Sequence, residues 1–223
     1  MAHSGGALEA SADFTRGGGP PTPDHDAHLQ DRKSRVGAEQ KRLLQWAAQN
    51  GKLASQRSLP EFARGGEHRV YFQEKTRRYV KETRLDRHLG YGLALGSFCR
   101  GATPSEYLDR LDLQNRIFGD DIQLARIVNQ GGQPVVVTSQ PAIVGVPANP
   151  DAIDSLMASK RYEKLADGAY YDGNGLLIFD LFPRNVIQVG TGEVYPIDPV
   201  IQRITEDFAD FLRSYPDTIN RDF

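Results

Sequence analysis

Apolar residues recur at helical spacing in several stretches, and alternate or run continuously in the segments between them. From Glu39 to Asn50, Leu43, Leu44, Trp46 and Ala47 share one side of a predicted helix that Asn50-Gly51 stops. Arg69–Phe72 and Arg78–Glu82 are rich in β-branched and aromatic residues and predict two strands around a turn at Gln73–Thr76. Pro104–Phe118 predicts a helix with Tyr107, Leu108, Leu111, Ile117 and Phe118 on its apolar side. Thr103 or Ser105 would cap it, Pro104 opens it and Gly119 stops it. Ile122–Val128 and Pro134–Ser139 predict two strands around Gln130-Gly131-Gly132. After a loop at Pro141–Pro150, Asp151–Leu165 is amphipathic, with Ile153, Leu156, Met157, Tyr162 and Leu165 on one side. Leu176–Phe179 reads as a short buried strand. Val186–Val189 and Glu193–Ile197 read as a hairpin around Gly190-Thr191-Gly192. A last helix starts near Val200 and carries Ile204, Phe208, Phe211 and Leu212. The order is that of an α+β chain without internal repeats.

The periodicity fades upstream of Ala38. Gly17-Gly18-Gly19-Pro20-Pro21 and Pro23 lie there, with His3, His25 and His28 scattered among Asp and Ser. This predicts a disordered leader over residues 1–38 and one compact domain over 39–223. The histidines lack metal-site spacing. A hydrophobic fraction of 39% supports one ordinary core, and no apolar run is long enough to cross a bilayer. No basic segment followed by an apolar stretch opens the chain, so a cytoplasmic protein without a membrane partner is expected. A net charge of −2 gives no electrostatic case for binding nucleic acid. Cys99 is the only cysteine, which excludes an internal disulfide and a multi-cysteine zinc site; it reads as a small packing residue.

Candidate chemistry sits in Asp180-Leu-Phe-Pro-Arg-Asn185, between two predicted strands. Asp at i, Pro at i+3 and Asn at i+5 match the loop in which protein-kinase-like phosphotransferases keep a base and a metal-binding amide. Asp198, in Pro196-Ile-Asp-Pro199, lies across one hairpin from Asp180. With Asn185 it would give Mg²⁺ the few protein oxygens it needs. Upstream, Gly65-Gly66 leads into the strand of Val70, where backbone N–H groups can approach phosphates. Lys81, on the next strand, can reach the α- and β-phosphates. Glu106, with Asp109 as its rival, is the acid that would orient Lys81.

From about Leu44 to Ile201 the chain resembles the small kinase domain of polyvalent proteins, large multi-domain proteins of phages and conjugative elements. The matching text is Trp46-Ala47 with Asn50-Gly51, Gly65-Gly-Glu-His-Arg-Val-Tyr-Phe72, Tyr107-Leu108, Arg110-Leu111 and Gln114-Asn115. It continues with Phe118-Gly-Asp-Asp121, Thr138-Ser-Gln-Pro141, Asp180-Leu-Phe-Pro-Arg-Asn185 and Pro196-Ile-Asp-Pro199. The resemblance implies a minimal protein-kinase-like two-lobed fold. An antiparallel-sheet N-lobe would span about 39–139 and a reduced C-lobe about 140–223. It implies Mg-ATP as the nucleotide and a hydroxyl on a protein or small molecule as acceptor. Gly65, Gly66, Val70 and Lys81 would meet the nucleotide phosphates, with Glu106 behind Lys81. Thr138, Ser139 and Gln140 belong to a hinge beside the adenine. Asp180 would be the base, and Asn185 and Asp198 the metal ligands.

Departures bear on activity. Ile178-Phe179 stands where protein kinases have His-Arg, and Phe182 where they have Lys; Arg184 is the candidate substitute for that Lys. Pro199-Val200 follows Asp198 in place of Phe-Gly. The residues from Pro199 to Phe223 leave no room for a long activation segment and peptide platform. The leading expectation is therefore an ATP-dependent Ser/Thr/Tyr kinase. The alternatives are a weak or inactive nucleotide-binding interaction module and a small-molecule kinase.

Overall fold

A computed structural model describes residues 6–18, 20–21, 29–55, 63–85, 90–95 and 101–220; Cys99, His3, His25 and His28 lie outside them. Local sequence sets helix α3 (Pro104–Phe118) almost completely. Thr103 Oγ1 accepts from Glu106 N–H, the Glu106 carboxylate accepts from Thr103 N–H at 2.8 Å, and Pro104 fills the first turn. Gly119 ends the helix in the left-handed region, at φ 69°.

Two compact units divide near Ala142. The first holds α1 (Gly6–Arg16), α2 (Leu29–Gln49), α3 and six strands: β1 (Leu53–Ala54), β2 (Ala63–Arg64), β3 (His68–Gln73), β4 (Arg78–Thr83), β5 (Gln123–Gln130) and β6 (Gln133–Pro141). They form one sheet in the order β1-β5-β6-β4-β3-β2, antiparallel except for β1 against β5. Successive residues of β6 face opposite sides, and both sides are buried. Val136 joins Leu43, Trp46, Tyr107, Leu108 and Ile127 beneath the helices. Val135 and Val137 join Tyr71, Val80 and Val128 on the other face. A strand buried on both faces has to be apolar throughout, hence the run Val135-Val136-Val137.

Residues 6–16 and 29–38 are helical, which corrects the reading of 1–38 as a disordered leader where the structure describes it. In α1, Leu8, Ser11, Ala12 and Thr15 are buried at i, i+3, i+4 and i+7. Most of that stripe is small or hydroxyl-bearing, so a hydropathy reading passes over it. Upstream α2 is held by charge: Arg32 pairs with Glu106 at 2.6 Å, and Glu39 accepts from the Ser105 N–H at 2.9 Å. Charge-mediated packing leaves no apolar period to read.

The second unit contains β7 (Val146–Pro147), α4 (Pro150–Ser159), β8 (Glu163–Ala166), β9 (Ala169–Tyr171), β10 (Leu176–Phe179), β11 (Val186–Gln188), β12 (Val194–Pro196), β13 (Val200–Arg203), α5 (Glu206–Ser214) and α6 (Asp217–Asn220). Sheets run β13-β10-β9-β8 and β12-β11-β7. Two predicted elements change. The helix over 151–165 stops at Ser159, because Arg161 turns the chain at φ 66° and Glu163–Ala166 pairs with β9. Val200–Arg203 is a strand, since Val200 and Ile201 pair with Phe179 and Ile178 in the core; the helix begins after the Thr205 cap. Among the described residues, no helix is long and apolar enough to cross a membrane.

Candidate functional site

Strand register gathers three candidate residues of the first unit. Val70 of β3 pairs with Lys81 of β4, and Lys81 pairs with Thr138 of β6. Directly opposed residues project to the same face, so the three form one row across the sheet. Leu124 of β5 opposes Thr138, so the row stands on the helix-side face. At the edge, Gly65-Gly66 makes the β2–β3 turn, closed by Gly65 N–H to His68 O at 2.9 Å. Neither glycine has positive φ, and a Cβ on Gly66 would meet open space. Local conformation does not require glycine there, which leaves room for a close approach from outside. Arg84 holds this turn by donating to both glycine carbonyls, a contact with no prior sequence signal.

Glu106, the acid expected behind Lys81, has its carboxylate bound by Arg32, by Arg35 at 3.7 Å and by the Thr103 N–H. The physical reason is position: as the third residue of a capping box, it folds back over the helix start. Its rival Asp109 pairs with Arg16 at 2.7 Å. Gln140, expected beside the adenine, lies on β6, 3% exposed, and donates to Asp120 at 2.6 Å, where Gln114 also donates. Ser139 Oγ and its carbonyl both accept from Arg78. Beyond Ser139, β6 remains paired with β4 through Pro141 but has left β5, whose pairing ends at Gln123.

In the second unit two strand ladders end together. Phe179 of β10 opposes Val200 of β13, so Asp180 and Asp198 emerge at the same end of that pair. Val186 of β11 opposes Pro196 of β12, and one step further Ile197 N–H donates to Asn185 O at 2.8 Å. Asp180, Asn185 and Asp198 therefore lie where the two ladders meet. Asp180 has φ 60°, in the left-handed region that Asp tolerates better than most residues. Asn185 secures it: Nδ2 donates to Asp180 O at 2.9 Å and to Oδ2 at 2.8 Å. That fixes the amide with Oδ1 on its other side, and no hydrogen bond reaches this oxygen among the described residues. An acceptor oxygen held in this way suits a hard divalent cation.

Arg184 lies in a 3₁₀ turn (Pro183–Asn185) and donates to Asp180 Oδ1, with its guanidinium 4.8 Å above the Phe182 ring. Its charge is therefore beside the candidate base. Phe182 rests on Gly168 in the β8–β9 turn, whose carbonyl accepts from Leu181 N–H at 3.1 Å. Gly168 has φ 69°, and a Cβ there would stand 3.1 Å from the Phe182 ring. Gly168→Ala is thus expected to displace the loop and destabilise the protein by about 1–3 kcal/mol, read as a lower urea midpoint with an unchanged slope. Sequence reasoning missed this turn because it extended the preceding helix to Leu165, over strand β8, and so had no hairpin for the turn to close.

A family described as Serine/Threonine/Tyrosine Kinase found in polyvalent proteins matches residues 37–205. No curated protein and no solved structure matches the chain significantly. The match covers well over half of the 223 residues and spans both the Lys81 row and the Asp180 loop, so the chain belongs to the kinase family of polyvalent proteins.

Proposed function

We propose that the protein is an active Mg-ATP-dependent kinase that phosphorylates Ser, Thr or Tyr hydroxyls, with Asp180 as general base. The observation that carries this reading is the meeting of Asp180, Asn185 and Asp198 at the shared end of two strand ladders. The Val70–Lys81–Thr138 row supports a nucleotide side on the first unit. In this reading the two units are the lobes of a kinase fold.

Asn185 Oδ1 and the Asp198 carboxylate would hold Mg²⁺, which when bound neutralises charge on the nucleotide phosphates. Lys81 holds the α- and β-phosphates, and the Gly65-Gly66 turn lets backbone N–H groups approach them. Asp180 orients the acceptor hydroxyl and takes its proton as the acceptor oxygen bonds to the γ-phosphorus and the bond to ADP breaks. Arg184 brings next to Asp180 the cationic charge that protein kinases take from Lys at the Phe182 position.

Nucleotide binding is tested by melting. Mg-ATP at about 100 times its dissociation constant should add about 2.7 kcal/mol of stability. Gly66→Ala, which has room for its methyl group, should keep the unliganded midpoint and lose part of that gain. No shift with any nucleotide would sink the reading. A shift without label transfer to any acceptor would favour an inactive nucleotide-binding module, a reading that the Arg184–Asp180 pair also supports.

A further inference from the structure

Beside the Asp180 loop the second unit has a cavity of about 180 Å³ that the catalytic reading does not use. Its apolar wall is Pro150 and Ile153 of α4 with Leu181, Phe182 and Pro183, the residues that directly follow Asp180. Its rim is charged. Lys164 lies between Asp154, at 2.9 Å, and Asp167, at 3.1 Å. Tyr170 donates to Asp154 at 2.5 Å, and this hydroxyl, with Lys164 behind it, holds the Asp154 carboxyl below its usual range.

Size decides what such a cavity can take. Pockets for whole small molecules run to about 300–1,000 Å³, and a cavity of about 150 Å³ lined by Leu, Ile and Phe holds one benzene. The space fits one Leu-, Met- or Phe-sized side chain and is too small for a whole acceptor molecule. Position decides whose side chain it is. An acceptor hydroxyl must come within hydrogen-bond reach of Asp180. The cavity wall begins one residue after Asp180, and the Arg184 guanidinium that binds Asp180 lies over the Phe182 ring of that wall. The family description names Ser, Thr and Tyr as acceptors, and such an acceptor has neighbouring side chains.

We infer that this cavity is a specificity subsite that binds one apolar side chain next to the acceptor residue of a peptide substrate. The inference rests on the kinase reading and deepens it. The wall that protein kinases interrupt with Lys is closed here by Phe182, seated on Gly168 and under Arg184. The substitution that removes a charge from the catalytic loop thereby completes an apolar pocket.

Two measurements on the full chain separate this inference from the kinase reading. In the first, fluorescent peptides with one acceptor Ser and Leu, Ala or Asp at each flanking position are tested for binding by anisotropy and for label transfer with Mg-ATP. At one flanking position Leu should bind at least about tenfold more tightly than Ala. Ile153→Trp, which fills the space, should abolish that preference and leave transfer to an Ala-flanked peptide unchanged. In the second, a peptide with photo-leucine at the favoured position is cross-linked to unmodified protein, so no variant has to fold. Adducts are expected on Ile153 and Leu181–Pro183. Adducts at the cavity without label transfer would support the subsite and count against the kinase reading. Label transfer with no apolar preference, adducts elsewhere, no peptide binding, or occupation by a small alcohol that peptides cannot displace would each overturn the subsite.

Discussion

Asp180→Asn is expected to lower phosphoryl transfer by about 10²–10⁴, the usual cost of removing a general base, with nucleotide binding retained. Asparagine tolerates the left-handed backbone at φ 60°. Its amide oxygen can still accept from Arg184 or Asn185, but it cannot take a proton at neutral pH. Asp180→Ala removes the proposed base and adds a strained backbone of about 1–2 kcal/mol, as well as leaving Asn185 Nδ2 without its side-chain acceptor. Single-turnover label transfer and urea unfolding, measured on both variants, separate chemistry from folding. Both should lose the rate, and only the alanine variant should also lose stability. Transfer at the wild-type rate by the asparagine variant would falsify the assignment of Asp180 as base.

A comparably large effect on stability is expected at the other end of the chain. Leu8 is fully buried in the core that includes Tyr107 and Leu108, so Leu8→Ala should cost about 2–5 kcal/mol by urea unfolding. A disordered leader would give no change. Arg16, its guanidinium on Asp109, ties the same helix to α3. The exposed pair Arg116–Glu9 should contribute less than about 1 kcal/mol, since water screens both partners. Helix α1 lies before the matched range 37–205, so the covering of α3 from that side is an addition to the kinase domain as the family defines it. Arg32, from the part of α2 that also precedes this range, occupies the acid that was expected to serve Lys81.

Why some of this could be read from the chain and some could not follows from the range of the interactions. The limits of α3 were legible because a capping box, an N-terminal Pro and a terminal Gly act over a few residues. The β3–β4 and β5–β6 hairpins were legible because runs of β-branched and aromatic residues flank recognisable turn chemistry there. Helix α1 was missed because Ser11, Ala12 and Thr15 bury little apolar surface. Strand β13 was read as a helix start because a short apolar run fits either element, and only its pairing with β10 decides between them.

The sequence by itself determined which residues could carry the chemistry. Asp180, Asn185 and Asp198 stand out by spacing, and Lys81 by its place after Gly65-Gly66. It also determined the departures at Phe182 and Arg184. Tertiary structure alone decided what those side chains meet. Register put Val70, Lys81 and Thr138 in one row. Helix α2, distant in sequence, took Glu106. Asp120 took the Gln140 amide, and the β8–β9 turn made Phe182 the wall of a cavity. Spacing along a chain fixes which side chains a local element can present; their partners come from segments tens of residues away, and only packing brings those segments together.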